Sequence, residues 1–160
     1  MLPFTVHPVG DSALLAAFEQ RIAPEIGAAV AALNARVQAA GLPGAGETVP
    51  AFASLMVTYD PLLTDYETLA AALQRLAAAP DDGGAAGEGR LVTIPVCYGG
   101  EFGPDLPFVA EHAGLTEAEV IRLHAGRDYP IYMLGFLPGF PYLGGLDERL
   151  ERLGGELERF

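Results

Sequence analysis

Ten residues divide this chain. Residues 80–89, PDDGGAAGEG, replace apolar periodicity with glycine, alanine and acidic side chains. Such a composition buries too little apolar surface to offset the entropy lost on ordering it. The expected organisation is a first domain at residues 1–79, a linker at 80–89 and a second domain at 90–160, each small.

In the first segment, residues 4–7 and 13–18 read as short strands joined through Gly10 and Asp11, a pair suited to a tight turn. From 23 to 40, Ile26, Val30, Leu33 and Val37 fall at spacings of four, three and four, one face of an amphipathic helix, which Gly41 stops. Residues 48–50 and 54–59 read as two further strands, the second, SLMVTY, rich in side chains that suit a pleated surface. After the Asp60-Pro61 turn, Thr64 with Glu67 predicts a helix start, and Leu69, Leu73 and Leu76 continue a helical stripe. The order ββαββα predicts a small α+β sandwich with helices covering one face of a sheet.

Beyond the linker, residues 90–98, RLVTIPVCY, read as a strong strand in which Pro95 suggests an edge or a bulge. Asp105 opens a helix expected to reach Ala113, and Thr116 with Glu119 forms a capping box for another ending at His124. A strand at 129–133 then enters the loop GFLPGFPYLGG. The tail from Asp147 carries Leu150, Leu153 and Leu157 at helical spacing, interrupted by Gly154 and Gly155. Two strands and two helices do not close a barrel.

Composition removes several chemistries. The formal charge is −12, with nine arginines and no lysine, so a phosphate-tracking basic surface and a nucleic-acid partner are poor expectations. Without lysine the chain supplies no Walker-type phosphate lysine and no Schiff base. The single cysteine, Cys97, excludes a disulfide framework and fits a reducing compartment, the cytoplasm. Placed in a strand, it reads as a small buried hydrophobe. No apolar run approaches the roughly 20 residues of a membrane helix, and the N-terminus lacks the basic start of a signal peptide. His7, His112 and His124 have no zinc-ligand spacing, so no metal site is expected.

Residues 132–145, YMLGFLPGFPYLGG, interleave four glycines and two prolines with Tyr132, Phe136, Phe140 and Tyr142. Glycine lets backbone approach a ligand, proline fixes the path and aromatics give a rigid wall, which suits a pocket; it equally suits a packed barrel corner. In YGGEFGPDL, residues 98–106, Glu101 and Asp105 suit proton transfer or cation binding, while Asp105 also suits a plain helix N-cap. Neither cluster is a phosphate loop. His124, ending a helix just before the aromatic loop, fits either a proton donor or a cation favoured by the helix C-terminus.

The run from Ile94 to Leu150, together with GDSALLAAF and VPAFASLMVTYDP, resembles the PxpB or KipI family of 5-oxoprolinase components, also described as allophanate hydrolase subunit 1 or a carboxyltransferase subdomain. The resemblance covers almost the whole chain. It implies an N-terminal ferredoxin-like α/β sandwich followed by a cyclophilin-like β-barrel, of which residues 90–160 are the N-terminal part. It also implies a multi-chain enzyme, with PxpC/KipA-like and PxpA (LamB/YcsF)-like partners, that hydrolyses 5-oxo-L-proline to L-glutamate using ATP. The residues matching the family's motifs are Tyr98, Gly99, Gly100, Gly103, Asp105 and Leu106, and Gly135, Phe136, Pro138, Gly139, Phe140, Tyr142, Leu143 and Gly144. Of these, Tyr98, Gly99, Gly100, Asp105, Gly135, Phe136, Pro138, Gly139, Phe140 and Tyr142 are the expected lining of a substrate or partner pocket, with His124 the candidate acid. Family sequences continue past the GLD segment with a proline- and arginine-rich stretch and further barrel strands, where this chain has ERLERLGGELERF. Barrel completion by another chain, a shortened form and a lost function are all compatible with that departure. Two other functions accompany the resemblance: inhibition of a sporulation-type histidine kinase, and a carboxyltransferase-like part of a urea or allophanate system whose biotin another chain would carry.

Overall fold

The computed structural model describes residues 1–79 and 89–151. They fall into two compact units, one drawn from Met1–Arg90 and Tyr132–Tyr142, the other from Leu91–Ile131 and Leu143–Phe160. The expected linker at 80–89 lies, apart from Gly89, outside the described residues.

In the first unit, β1 (Thr5–Val9) and β2 (Ala13–Ala17) are followed by α1 (Pro24–Ala40), β3 (Ala45–Pro50), β4 (Ser54–Tyr59) and α2 (Tyr66–Ala78). The strands form one sheet in the order β1-β2-β4-β3, every pair antiparallel. The ββαββα order is the one the sequence predicts. Strand periodicity explains the sheet's dry face: along β4 Leu55, Val57 and Tyr59 are buried while Ser54, Met56 and Thr58 are only half-buried. The register sets Val57 opposite Leu14 and Leu55 opposite Ala16. Ile26, Val30, Leu33 and Val37 of α1 and Leu69 and Leu73 of α2 complete this core. Gly10 (φ 61°) turns β1 into β2, and Gly41 (φ 53°) ends α1 in the left-handed conformation that favours glycine.

Helix α2 starts one residue later than expected. Asp65, not Thr64, is the N-cap, its carboxylate accepting from the Thr68 backbone N–H at 2.7 Å. Hydrogen bonds from Thr68 hold the Asp65 carboxyl below its ordinary range. The displacement of the cap has a local cause: the Thr64 N–H donates back to the Asp60 carbonyl, so Thr64 belongs to the preceding turn. The Arg36 guanidinium of α1 donates to the Leu76 carbonyl at 2.8 Å and to the Ala79 carbonyl at 3.1 Å, capping the C-terminus of α2. The Tyr66 hydroxyl donates to the Val6 carbonyl at 2.9 Å and fastens α2 to β1.

The second unit is helical. Its helices α3 (Leu106–Ala113), α4 (Glu117–Ala125) and α5 (Glu148–Glu151) bury Ala110, Val120 and Leu150 together. The Thr116–Glu119 capping box is present in both directions. Asp105 occupies the N-cap position of α3, but its side chain makes no cap hydrogen bond. In sequence between α4 and α5, β5 (Ile131–Leu134) and β6 (Pro141–Leu143) pair as a two-stranded sheet. The tail residues Leu153, Gly154, Gly155 and Leu157 lie outside the described residues.

The strand expected at 90–98 does not form. Its β-branched residues carry the propensity, but a strand exists only against a neighbour, and no described residue pairs with it. Cys97, expected to be buried in that strand, is exposed. Among the described residues no helix is long and apolar enough to cross a membrane.

The core makes a direct prediction. Leu33 is fully inaccessible, so Leu33→Ala is expected to cost about 2–5 kcal/mol of unfolding free energy, read by chemical denaturation. Leu62 is 91% exposed, and Leu62→Ala is expected to stay within about 0.5 kcal/mol.

Candidate functional site

The predicted site residues divide between the units: 135–142 belong to the first, while 98–105 and His124 belong to the second. Each group has its own geometry.

In the first unit, Phe52, from the connection between β3 and β4, anchors the aromatic hairpin. Its ring lies 5.2 Å from that of Tyr132 and 5.9 Å from that of Tyr142, the latter edge-on. Phe140 stands edge-on to Tyr142 at 5.4 Å, and Phe136 to Phe140 at 5.9 Å, so five aromatic rings run from the sheet to the hairpin tip. Tyr132 covers Gly27 of α1 so closely that a Cβ there would lie 2.8 Å from its ring. A lone glycine inside an amphipathic helix was the available signal for that approach. Phe52 had no such signal, because an isolated aromatic in a connection has no period.

The tip is a tight turn. The Gly135 N–H donates to the Phe140 carbonyl at 3.1 Å and the Phe140 N–H to the Leu137 carbonyl at 3.0 Å. Gly139 (φ 82°) takes a conformation natural for glycine, but Phe136 (φ 62°) does so with a bulky side chain. That costs roughly 1–2 kcal/mol. Phe136 is 83% exposed, so its own packing offsets little of it. Leu134, Leu137, Phe140 and Leu143 are also exposed, and residues 129–145 carry no charge.

In the second unit, the Tyr98 hydroxyl is hydrogen-bonded to Nδ1 of His124, with the rings edge-on at 5.6 Å. Tyr129 is also beside it, its ring 5.5 Å from the imidazole and its hydroxyl donating to the His124 carbonyl at 2.8 Å. Burial raises the Tyr129 phenol above its ordinary pKa. The phenol of Tyr98 thus fixes the imidazole orientation, a geometry suited to moving a proton through His124. Gly100 (φ 61°) and Gly103 shape the neighbouring loop; a Cβ on Gly103 would collide with the Tyr98 carbonyl. Gly99 is exposed beside them, and Asp105 and Glu101 are exposed with no side-chain hydrogen bond between them. Among the described residues no cluster of three or more His, Cys, Asp or Glu side chains suits a metal ion. An open concavity of about 520 Å³, lined by Val37, Gln38, Gly41, Leu42 and neighbours, contains none of the predicted residues.

A short ionic network closes the second unit. Asp147 accepts from Arg149 at 2.8 and 3.0 Å and from Arg127 at 3.4 Å, and Arg127 also donates to the Gly145 carbonyl at 2.6 Å. The hydrogen bonds from Arg149, with the nearby positive charges, hold the Asp147 carboxyl well below the usual carboxylate range. A depressed carboxylate stabilises the fold above its unfolded pKa and loses that contribution as pH falls through the lower folded value. Asp147→Asn is therefore expected to lower Tm slightly at pH 7, with the difference from the parent shrinking below about pH 4. At the hairpin tip, Phe136→Gly removes that strain with little packing but adds glycine's unfolded-state entropy of about 0.5–1 kcal/mol, so chemical denaturation is expected to show unfolding free energy unchanged or raised by up to about 1 kcal/mol.

Comparison with known proteins agrees with this architecture. The carboxyltransferase-domain family, subdomain C and D, matches residues 4–153. The B subunit of 5-oxoprolinase from Bacillus subtilis (strain 168) is 39% identical over 159 residues, which cover 92% of this chain and 65% of that protein. The crystal structure of TTHA0988 superposes with a TM-score of 0.69 at 36% identity over 86% of this chain and 26% of its own. The Kluyveromyces lactis urea amidolyase shares the fold, with a TM-score of 0.60 at 12% identity over 88% of this chain and 10% of the enzyme. The chain thus spans about two thirds of the Bacillus relative and a much smaller part of the two structural neighbours, and it belongs to the carboxyltransferase-domain family, subdomain C and D.

Proposed function

We propose that this chain acts as the PxpB-type component of an ATP-dependent 5-oxoprolinase in the cytoplasm. The complex hydrolyses 5-oxo-L-proline to L-glutamate together with PxpC/KipA-like and PxpA (LamB/YcsF)-like chains. The observation that carries the reading is the uncharged aromatic hairpin of a chain related to a 5-oxoprolinase component: it exposes Phe136 in a strained backbone, open to a partner surface. The absence of lysine and of a phosphate loop supports ATP being held by a partner chain rather than by this one.

Opening the five-membered lactam adds water across the C–N bond, and the departing nitrogen needs a proton. His124, oriented by Tyr98, is the group in this chain suited to deliver it. Gly99 and Gly100 in the second unit let backbone approach a planar amide. In the first unit, Gly135 and Gly139, with Pro138, shape the hairpin backbone, and Phe140 and Tyr142 offer an apolar wall to a partner or substrate. The sheet order β1-β2-β4-β3 under two helices supports a ferredoxin-like sandwich in which β1 occupies the edge beside β2. The second unit would be the start of the cyclophilin-like barrel.

Glutamate release from 5-oxoproline with ATP tests this, using the chain alone and then co-expressed with its two partner types. Activity is expected only in the full mixture; none in any mixture, with all chains folded, would remove the proposal. In the active mixture His124→Gln is expected to lower kcat at least about tenfold with little change in Tm. Phe140→Ala is expected to weaken partner binding more than it weakens the fold.

A further inference from the structure

Glycine is a poor residue for a helix interior, because it has no side chain to pack and loses the most conformational freedom on ordering. Gly27 nevertheless stands one turn into α1, between the buried residues Ile26 and Val30. Its conformation does not call for glycine: the backbone is helical, its φ is not in the left-handed region, and its N–H donates to the Ala23 carbonyl at 3.0 Å. Space calls for it instead. An added Cβ would meet Cδ1 and Cε1 of Tyr132 at 2.8 and 2.9 Å, and apart from its own helix and chain neighbours no other described group lies within 4 Å. The missing side chain leaves a socket for one ring.

The hairpin that carries this ring needs such a footing. Among the described residues β5 and β6 pair only with each other, and a lone two-stranded hairpin is marginal in water. Residues 132–142 group with the first unit, where Tyr132 sits on Gly27 and Phe52 packs against both Tyr132 and Tyr142. Those two tyrosines are half-buried, whereas Phe136, Leu137 and Phe140 at the other end are exposed. The base is held and the tip is free. We propose that Gly27 is a positioning residue: by seating the Tyr132 ring it fixes, together with Phe52, how Phe136 and Phe140 are presented, and the first unit serves the assembly by holding that tip for the PxpC/KipA-like chain. The inference rests on the 5-oxoprolinase reading and assigns a role within it to α1. A tip already held in one arrangement has less freedom to lose on association, so its footing governs affinity without touching the partner.

The test compares the whole chain with its Gly27→Ala variant, using the PxpC/KipA-like chain as the binding probe. Alanine suits a helix interior better than glycine, so the far-UV circular dichroism is expected to match the parent. Amide exchange at Gly135 and Phe140, whose N–H groups close the hairpin tip, is expected to speed up at least about tenfold. Calorimetric titration is expected to show affinity for the partner chain falling at least about tenfold. Tyr132→Ala leaves α1 untouched, and so reads the seat even where alanine at position 27 disturbs the helix; it is expected to give the same two losses. Adding Gly27→Ala to Tyr132→Ala is expected to change neither value further, a dependence on the ring that a merely structural glycine would not show. Parent-like exchange and affinity in Gly27→Ala, or an equal loss from it with and without the ring, would overturn the proposal. A parent chain that binds no such partner would remove the 5-oxoprolinase reading and this use of the hairpin together, whereas binding that survives Gly27→Ala removes the positioning role alone.

Discussion

The apolar layer between the two helices and one face of the four-stranded sheet is the constraint on which the first unit depends. Leu14, Leu33, Leu55, Val57 and Leu73 have no accessible surface, and Ile26, Val30 and Leu69 have almost none. Each such side chain contributes roughly 1.5–3 kcal/mol relative to solvent exposure. Their alternation along β2 and β4 fixes the register, because a one-residue slip would turn Leu55 and Val57 to the opposite face. With the register fixed, the connection between β3 and β4 has one place to go, and Phe52 rides on it. Phe52 then supports Tyr132 and Tyr142, and the hairpin tip inherits its footing from a core laid down some eighty residues earlier in sequence.

What was legible in the sequence follows from where the information resides. The stripe Ile26-Val30-Leu33-Val37, the alternation of SLMVTY and the Thr116–Glu119 capping box are local patterns, and local structure obeyed them. Gly41 stopped its helix because the left-handed conformation there favours glycine. The cap of α2 was misplaced by one residue because the deciding contact, Thr64 N–H to the Asp60 carbonyl, belongs to the turn before it. Residues 90–98 failed for a deeper reason: propensity describes one strand and a sheet needs two.

The same limit governs the site. The glycine and aromatic content of 132–145 announced an unusual loop, and part of that loop is packed. Tyr132 and Tyr142 pack against Phe52, whereas Phe136 and Phe140 face outward. The pairing of Tyr98 with His124 joins residues 26 positions apart, on a loop and a helix, with no periodic relation between them. Sequence offered His124 as a candidate without offering the phenol that orients it, and Tyr129, whose ring also neighbours the imidazole, reads in sequence only as the start of a strand.

The two units differ in how far they satisfy themselves. The first buries a continuous apolar layer; among the described residues the second buries Ala110, Val120 and Leu150 with a few half-buried neighbours. Exposed apolar surface has collected elsewhere, on residues 91–96 and on the hairpin tip. At the tip the cost is compounded, since Phe136 holds a backbone conformation worth roughly 1–2 kcal/mol of strain. Burying a phenylalanine and its neighbouring leucine against another surface would return several times that amount. A strained, solvent-facing aromatic is unfavourable in an isolated chain and sound in an assembled one, which is the physical argument for the assembly proposed above.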